Sequence, residues 1–355
     1  MLPNLIIGDI KTNIPIIQGG MGVRISTAPL VSAVCNEGCL GVIASVGLCE
    51  TASNINEYTK DSSKALEIEI KRTREKTSKP FGVNIMCVLT NYNSLVETCV
   101  KNNVDIIISG AGIPLHLPSL VTGTNIKLVP IVSSVRAATL ILKVWKNKYN
   151  KVPDAFIVEG PLAGGHLGFN LRELKDTDNY SLERIVSEIV NFTRIFNIPI
   201  IAAGGIFDGK DIVKFLKLGA SGVQIATRFV CTEECEASIE FKNEFIRATK
   251  EDMIIIKSPV GLLGRVIRNN FVDRITKGEK IDFSCSYKCL QTCDPKNSAY
   301  CIAQALCNAY KGNLSEGFAM GGSNSYRLDK IITVKQLIEE LVKEAQGDTI
   351  SEVST

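Results

Sequence analysis

The sequence predicts an α/β protein built on a parallel (β/α)8 barrel of the TIM type, with a C-terminal helical, Cys-rich addition. Three observations carry this. Eight short apolar runs alternate with helix-like stretches between residues 14 and 226, close to the roughly 250 residues such a barrel needs. The runs are apolar almost throughout rather than alternating, which suits strands covered on both faces. Nearly every run ends in glycine or another small residue.

Taken in order, Ile14 to Gln18 is the first strand and ends at Gly19-Gly20-Met21-Gly22. Ser26 or Thr27 can cap the helix that follows, with Pro29 in its first turn and Gly38 just past its end. Leu40 to Ser45 is the second strand. The charged stretch from Ile55 to Lys79 reads as a solvated helix that Pro80 stops. Phe81 to Met86, Val104 to Ser109 and Lys127 to Val132 are the next three strands, the last ending at Ser133-Ser134. Ala155 to Val158 is the sixth, ending at Glu159-Gly160. Ser181 caps a helix whose apolar face is Leu182, Ile185, Val186, Ile189, Val190 and Phe196. Ile198 to Ala203 is the seventh strand. Asp208 and Asp211 form a variant capping box, and Gly219 closes that helix. Gly222 to Ala226 is the eighth strand. The stretches 38–45 and 219–227 echo one another, each running a helix-end glycine into a strand.

After residue 231 the alternation breaks. Residues 232–332 read as a helical, Cys-rich lid or subdomain, set apart from a barrel of 1–231 plus 333–347. Thr333 and Gln336 form a capping box before the apolar stripe Val334, Leu337, Ile338, Leu341, Val342 and Ala345, with Gly347 as C-cap. The polar tail 347–355 is expected to fray.

Composition excludes several classes. Forty basic against 37 acidic residues leave a net charge of +3, too balanced for an electrostatic nucleic-acid binder. No apolar run approaches the roughly 20 residues of a membrane span. The N-terminus has no basic region, and Asp9 interrupts its apolar run, so a signal peptide is not expected. A cytoplasmic location follows, in which the 12 cysteines read as reduced thiols. Cys285, Cys289, Cys293 and Cys301 are spaced so that helical i, i+4, i+8 positions could converge on a metal or iron–sulfur cluster. That spacing is neither a zinc-ribbon nor a ferredoxin pattern; free thiols, with no metal site, are the expectation for these four, for Cys307 and for the Cys231/Cys235 pair.

Chemistry in such a barrel sits at the carboxyl ends of the strands. Glycine there lets backbone N–H groups approach a ligand, and the ends of strands seven and eight are the usual phosphate position. The dinucleotide fingerprint fails, because Leu115 stands where glycine is required after Gly110-Ala111-Gly112, and there is no Walker A motif. Of the two histidines, His116 lies early in a helix and reads as structural. His166 lies between glycines after strand six, where packing gives it no role, and reads as an acid/base or hydrogen-bond donor.

Together, Ile14 to Met21, Gly82-Val83-Asn84, Gly110 to Pro114, the Glu159-Gly-x3-Gly-Gly-His-x-Gly168 motif, Ala202 to Ile206, Gln224 to Phe229 and Gly321 to Asn324 resemble the nitronate monooxygenase (2-nitropropane dioxygenase-like) family, which includes the FMN-dependent enoyl-ACP reductase II. The resemblance implies a barrel holding FMN without a covalent bond. It implies that Gly20, Met21 and Gly22 line the flavin ring, that Asn84 hydrogen-bonds it, and that Glu159 and Ser134 lie near the ring or ribityl chain. Gly164, Gly165, Gly204, Gly205, Ala226 and Thr227 would hold the phosphate end, and His166 would face the substrate, its protonated form favouring an anion. Leu162-Ala163 depart from the family pattern, which commonly has an acidic residue first. The Cys-rich segment is foreign to the enoyl reductase pattern and favours the nitronate branch. The expected activity is oxidation of alkyl nitronates with O2 to a carbonyl compound and nitrite. The alternative is an enoyl-thioester reductase with NAD(P)H as electron donor; a flavin barrel without catalysis is a third reading, against which His166 counts. A small-molecule substrate and a homodimer complete the expectation.

Overall fold

A computed structural model describes residues 2–49 and 52–351. The eight barrel strands, labelled here β1 to β8, are Ile16–Gln18, Val42–Ala44, Gly82–Met86, Ile106–Gly110, Lys127–Val132, Phe156–Glu159, Ile200–Ala203 and Gly222–Ile225. They pair in parallel in the order β1-β8-β7-β6-β5-β4-β3-β2. The seam between β1 and β2 closes through a parallel bridge of Ile17 with Leu40. Gln18, fully buried, reinforces it: its Oε1 accepts from Val42 N–H at 3.0 Å while its Nε2 donates to Ser26 Oγ at 2.8 Å. A side-chain amide thus supplies at the seam what a ladder bond supplies elsewhere.

The barrel interior is a separate core of Ile17, Val42, Ile106, Ile108, Val129, Ile157 and Ile201. Leu5 and Ile7 join it from the hairpin of Leu5–Ile7 with Ile10–Thr12, which plugs the end opposite the functional one. The larger core lies between strands and helices. Both echoing glycines, Gly38 and Gly219, have positive φ (+83° and +95°) at the ends of their helices, so the sequence echo marks a shared left-handed stop.

Two caps form as expected: Ser181 Oγ accepts from Arg184 N–H, and Thr333 and Gln336 bond reciprocally. Ser134, read from sequence as a cofactor-site residue, also caps a helix, its Oγ accepting from Ala137 N–H. Thr27 occupies the N-cap of Ala28–Asn36 but makes no cap bond. It donates to Glu236, and the buried Glu69 carboxylate accepts from Ala28 N–H instead. Gly347 does not end the last helix, which runs Val334–Ser351; of the expected polar tail, 352–355 lie outside the described residues.

Residues 232–332 are not only helical. Helices Ile239–Arg247, Asn270–Thr276 and Ile302–Tyr310 accompany an antiparallel pair, Met253–Lys257 with Leu263–Ile267. Its third strand is Gly165–Leu167, so residues 253–267 are stitched to the loop that carries His166. No helix runs through residues 277–301. Lys288 takes φ +40° and the Asp294-Pro295 turn is closed by Asn297 Nδ2 donating to Asp294 Oδ2 at 2.7 Å, so the cysteine spacing does not express a helical face. Among the described residues no helix is long and apolar enough to cross a membrane.

Candidate active site

The strand ends bring the expected residues together in two groups. At the floor of the mouth, β1 meets both β8 and β3. A Cβ on Gly19 would lie 3.1 Å from Gln224 Cγ, and one on Gly20 would lie 2.6 Å from Asn84 Cβ. Gly22 is equally tight against Val46, and Met21 N–H donates to Ser26 Oγ at 2.9 Å. Gln224 Oε1 is buried here without a partner, although a buried acceptor normally finds one.

The second group gathers four segments. Gly204 and Gly205 leave β7 with φ +96° and +88°, a conformation other residues rarely adopt. A Cβ on Gly205 would lie 2.8 Å from Leu162 Cβ, and one on Gly164 would lie 2.5 Å from both Gly321 C and Gly322 N. Gly322 N–H donates to Thr227 Oγ1 at 3.2 Å, Ser323 N–H to Leu162 O at 3.0 Å, and Asn324 Nδ2 to Gly205 O at 2.6 Å. Ser323 Oγ is buried with no partner. Arg265, buried on the added sheet, donates through Nη1 to Pro161 O and Ala163 O at 2.8 and 2.5 Å, and so clamps the loop that leads to His166. Neither Arg265 nor Ser323 stood out in sequence as a site residue. An arginine inside a predicted helical lid carries no local signal of a clamp on another loop.

Gly164→Ala tests this cradle. The added methyl meets backbone, which cannot swing aside, and overpacking of this kind costs about 1–3 kcal/mol. The variant is expected to unfold at a lower temperature and to retain less of any bound cofactor after gel filtration. Wild-type behaviour in both would show that the two loops can separate freely.

His166 is half-buried, and its Nε2 lies 2.9 Å from Ser258 Oγ. Ser258 is buried and already accepts from Val260 N–H at 3.4 Å, so its own hydroxyl can donate to Nε2. With Ser258 donating, the ring proton lies on Nδ1; with Ser258 accepting, it lies on Nε2; in either case Nδ1 has no hydrogen-bond partner among the described residues. Burial lowers the histidine pKa to about 4. The imidazole is therefore neutral near pH 7, because no carboxylate offsets its desolvation, so the attraction that its protonated form would exert on an anion is absent there. Glu159, at the end of β6, is displaced the other way, to about 7, also by burial. Two groups of opposite type thus both approach neutrality.

Ser134 is exposed and its hydroxyl caps the helix Val135–Tyr149. Ser133 is the neighbour that approaches the histidine loop, with Oγ 2.8 Å from where a Gly168 Cβ would be. His116 is exposed, and its Nδ1 lies 3.3 Å from Tyr149 Oη. All 12 cysteines are free thiols. Burial, with Cys301, Cys285 and Cys293 nearby, pushes Cys289 up to about 12. Among the described residues no three His, Cys, Asp or Glu side chains are arranged to hold a metal ion.

Comparison with known proteins adds to this geometry. A family model described as nitronate monooxygenase matches residues 4–95 and 87–344. A probable nitronate monooxygenase of Staphylococcus aureus (strain Newman) is 30% identical over 301 residues, 75% of this chain and 78% of that protein. Among solved structures, FabK from Thermotoga maritima aligns with a TM-score of 0.76 at 29% identity, over 97% of this chain and 96% of FabK. A nitroalkane oxidase from Streptomyces ansochromogenes aligns with a TM-score of 0.75 at 19% identity, over 96% of this chain and 98% of that one; it shares the fold.

Proposed function

Because the chain belongs to the nitronate monooxygenase family, we propose that it is an FMN-dependent oxidoreductase that oxidises alkyl nitronates with O2 to a carbonyl compound and nitrite. The observation that carries the reading is His166, neutral and unengaged at Nδ1, held beside a glycine cradle at the carboxyl ends of the strands.

The residues fit a flavin mononucleotide. Gln224 Oε1 and Ser323 Oγ are orphaned buried groups, one on each side of the mouth, and Gly164, Gly204 and Gly205 pack so closely on Gly321–Gly322, Gly160, Leu162 and Ala163 that their loops meet backbone to backbone. Gly20, Met21, Gly22 and Asn84 would hold the ring end, and Thr227 with the Gly164 and Gly204 loops the phosphate end. Bound FMN would supply the redox chemistry that no side chain offers.

The protein's own part is position and proton placement. A nitronate is already deprotonated, so it needs no base. His166 Nδ1–H would donate to a nitronate oxygen and orient it, and Ser258 would keep the proton on that nitrogen. Burial raises the Glu159 carboxyl to about 7, so its charge near neutral pH is reduced, which lessens repulsion of an anion.

The likeness to FabK over nearly the whole chain supports a second reading, an enoyl-thioester reductase using NAD(P)H, with His166 donating toward the thioester carbonyl. Anaerobic mixing separates the two. The purified yellow protein is expected to bleach with propionate 3-nitronate and to respond slowly to NADH or NADPH. Rapid bleaching by NAD(P)H, with turnover of crotonyl thioester, would replace the first reading by the second, and a colourless protein would remove both.

A further inference from the structure

We infer that Arg265 is a positioning residue for a phosphate monoester: its charge, passed through two peptide groups, readies the backbone N–H groups of Leu162 and Gly164 to bind the phosphate of FMN. The clamp on the histidine loop explains only part of this side chain. Arg265 is 8% exposed, and its partners are the carbonyl oxygens of Pro161 and Ala163, both reached through Nη1. No carboxylate pairs with it among the described residues, and burial pulls its pKa below the ordinary arginine value.

That charge needs an explanation. Two carbonyls can be tied by neutral donors, whereas a buried cation with no anion beside it lowers the stability of the fold. A bound ligand of opposite charge would remove that penalty, and its binding would be strengthened in proportion.

The peptide groups give the direction. Pro161-Leu162 and Ala163-Gly164 are both trans, so each N–H points away from the C=O of its own peptide. With the two oxygens turned to Arg265, the N–H groups of Leu162 and Gly164 point away from the guanidinium. Neither donates to another described residue. Gly164 N lies on the cradle side: a Cβ on Gly322 would be 3.7 Å from it and 3.2 Å from Thr227 Oγ1. A cation on the carbonyl oxygen polarises a peptide and makes its N–H a stronger donor. Free backbone N–H groups gathered in a concavity are a recurrent anion site.

This role rests on the proposal that the chain holds FMN, and the test separates the two. The flavin-free full chain is titrated with FMN and with riboflavin, which lacks the phosphate, and binding is read from flavin fluorescence. Wild type is expected to prefer FMN. Arg265→Met is expected to weaken FMN binding at least about tenfold while leaving riboflavin binding unchanged. Arg265→Lys keeps the charge without the planar fork and is expected to recover most of the loss. Inorganic phosphate supplies a reading without flavin: it is expected to raise the unfolding temperature of wild type and Arg265→Lys, and not of Arg265→Met. Equal losses for the two flavins in Arg265→Met would leave Arg265 a clamp alone, and unchanged FMN binding would leave its charge without effect; either overturns the assignment. If Arg265→Met does not fold, Arg265→Lys decides: a wild-type preference for FMN supports the charge, and loss of that preference overturns it. Wild type that binds neither flavin would remove the FMN reading and this role with it.

Discussion

Replacing His166 by alanine is expected to lower turnover by about 10²–10⁴-fold while leaving flavin bound. The affinity for FMN should rest on the cradle formed by Gly164, Gly204, Gly205 and Thr227, none of which depends on the imidazole. Absorbance of the purified variant and its steady-state rate check both halves. Loss of flavin together with activity would contradict the role assigned here. His166→Asn refines the test, because its side-chain amide can stand in for the Nδ1–H donor but cannot take up a proton. Partial recovery of rate in the asparagine variant identifies hydrogen-bond donation as the contribution.

Glu159→Gln is expected to change how stability depends on pH. The carboxyl is raised from 4.5 to about 7 by burial. Below pH 4.5 it is protonated whether the chain is folded or not, and it carries no penalty. Between 4.5 and 7 the folded state holds the proton that the unfolded state has released, so stability falls as pH rises. Above 7 the full cost of at most about 3 kcal/mol is present. Glutamine has no such dependence, so the variant should match wild type near pH 4 and exceed it by up to this amount at pH 8. His166 works in the other direction: its depressed pKa makes the folded state lose stability as pH falls from 6.5 toward 4. Urea unfolding of flavin-free protein across pH 4–8 reads both. A difference between Glu159→Gln and wild type that stays constant with pH would show that Glu159 is not the buried acid described.

Much of the barrel was legible because its signals are local. Apolar runs such as Ile106–Gly110 can only be strands covered on two faces, and helix-end glycines such as Gly219 are required by a left-handed backbone that a Cβ resists. The glycine-rich strand ends pointed to a site for the same reason. Other features depend on partners distant in the chain. Ser134 sits in the right stretch, but its hydroxyl is used by its own helix, and a cap is indistinguishable in sequence from a ligand contact. The even spacing of Cys285, Cys289 and Cys293 suggested a helix that the Asp294-Pro295 turn excludes.

By itself, then, the sequence determined the strands, the helix stops and the glycine-rich strand ends, since each follows from backbone geometry and patterning along one stretch of chain, and it singled out the histidine between glycines for the proposed site. Only the tertiary structure decided the state of that histidine. Ser258, 92 residues away, reaches its Nε2 beside the sheet in which residues 253–257 and 263–267 pair with Gly165–Leu167. Burial keeps the ring neutral and raises the Glu159 carboxyl to about 7. Arg265 clamps the loop. Desolvation and contacts between remote segments exist only once the chain has folded, and they set the charge and proton positions on which the chemistry depends.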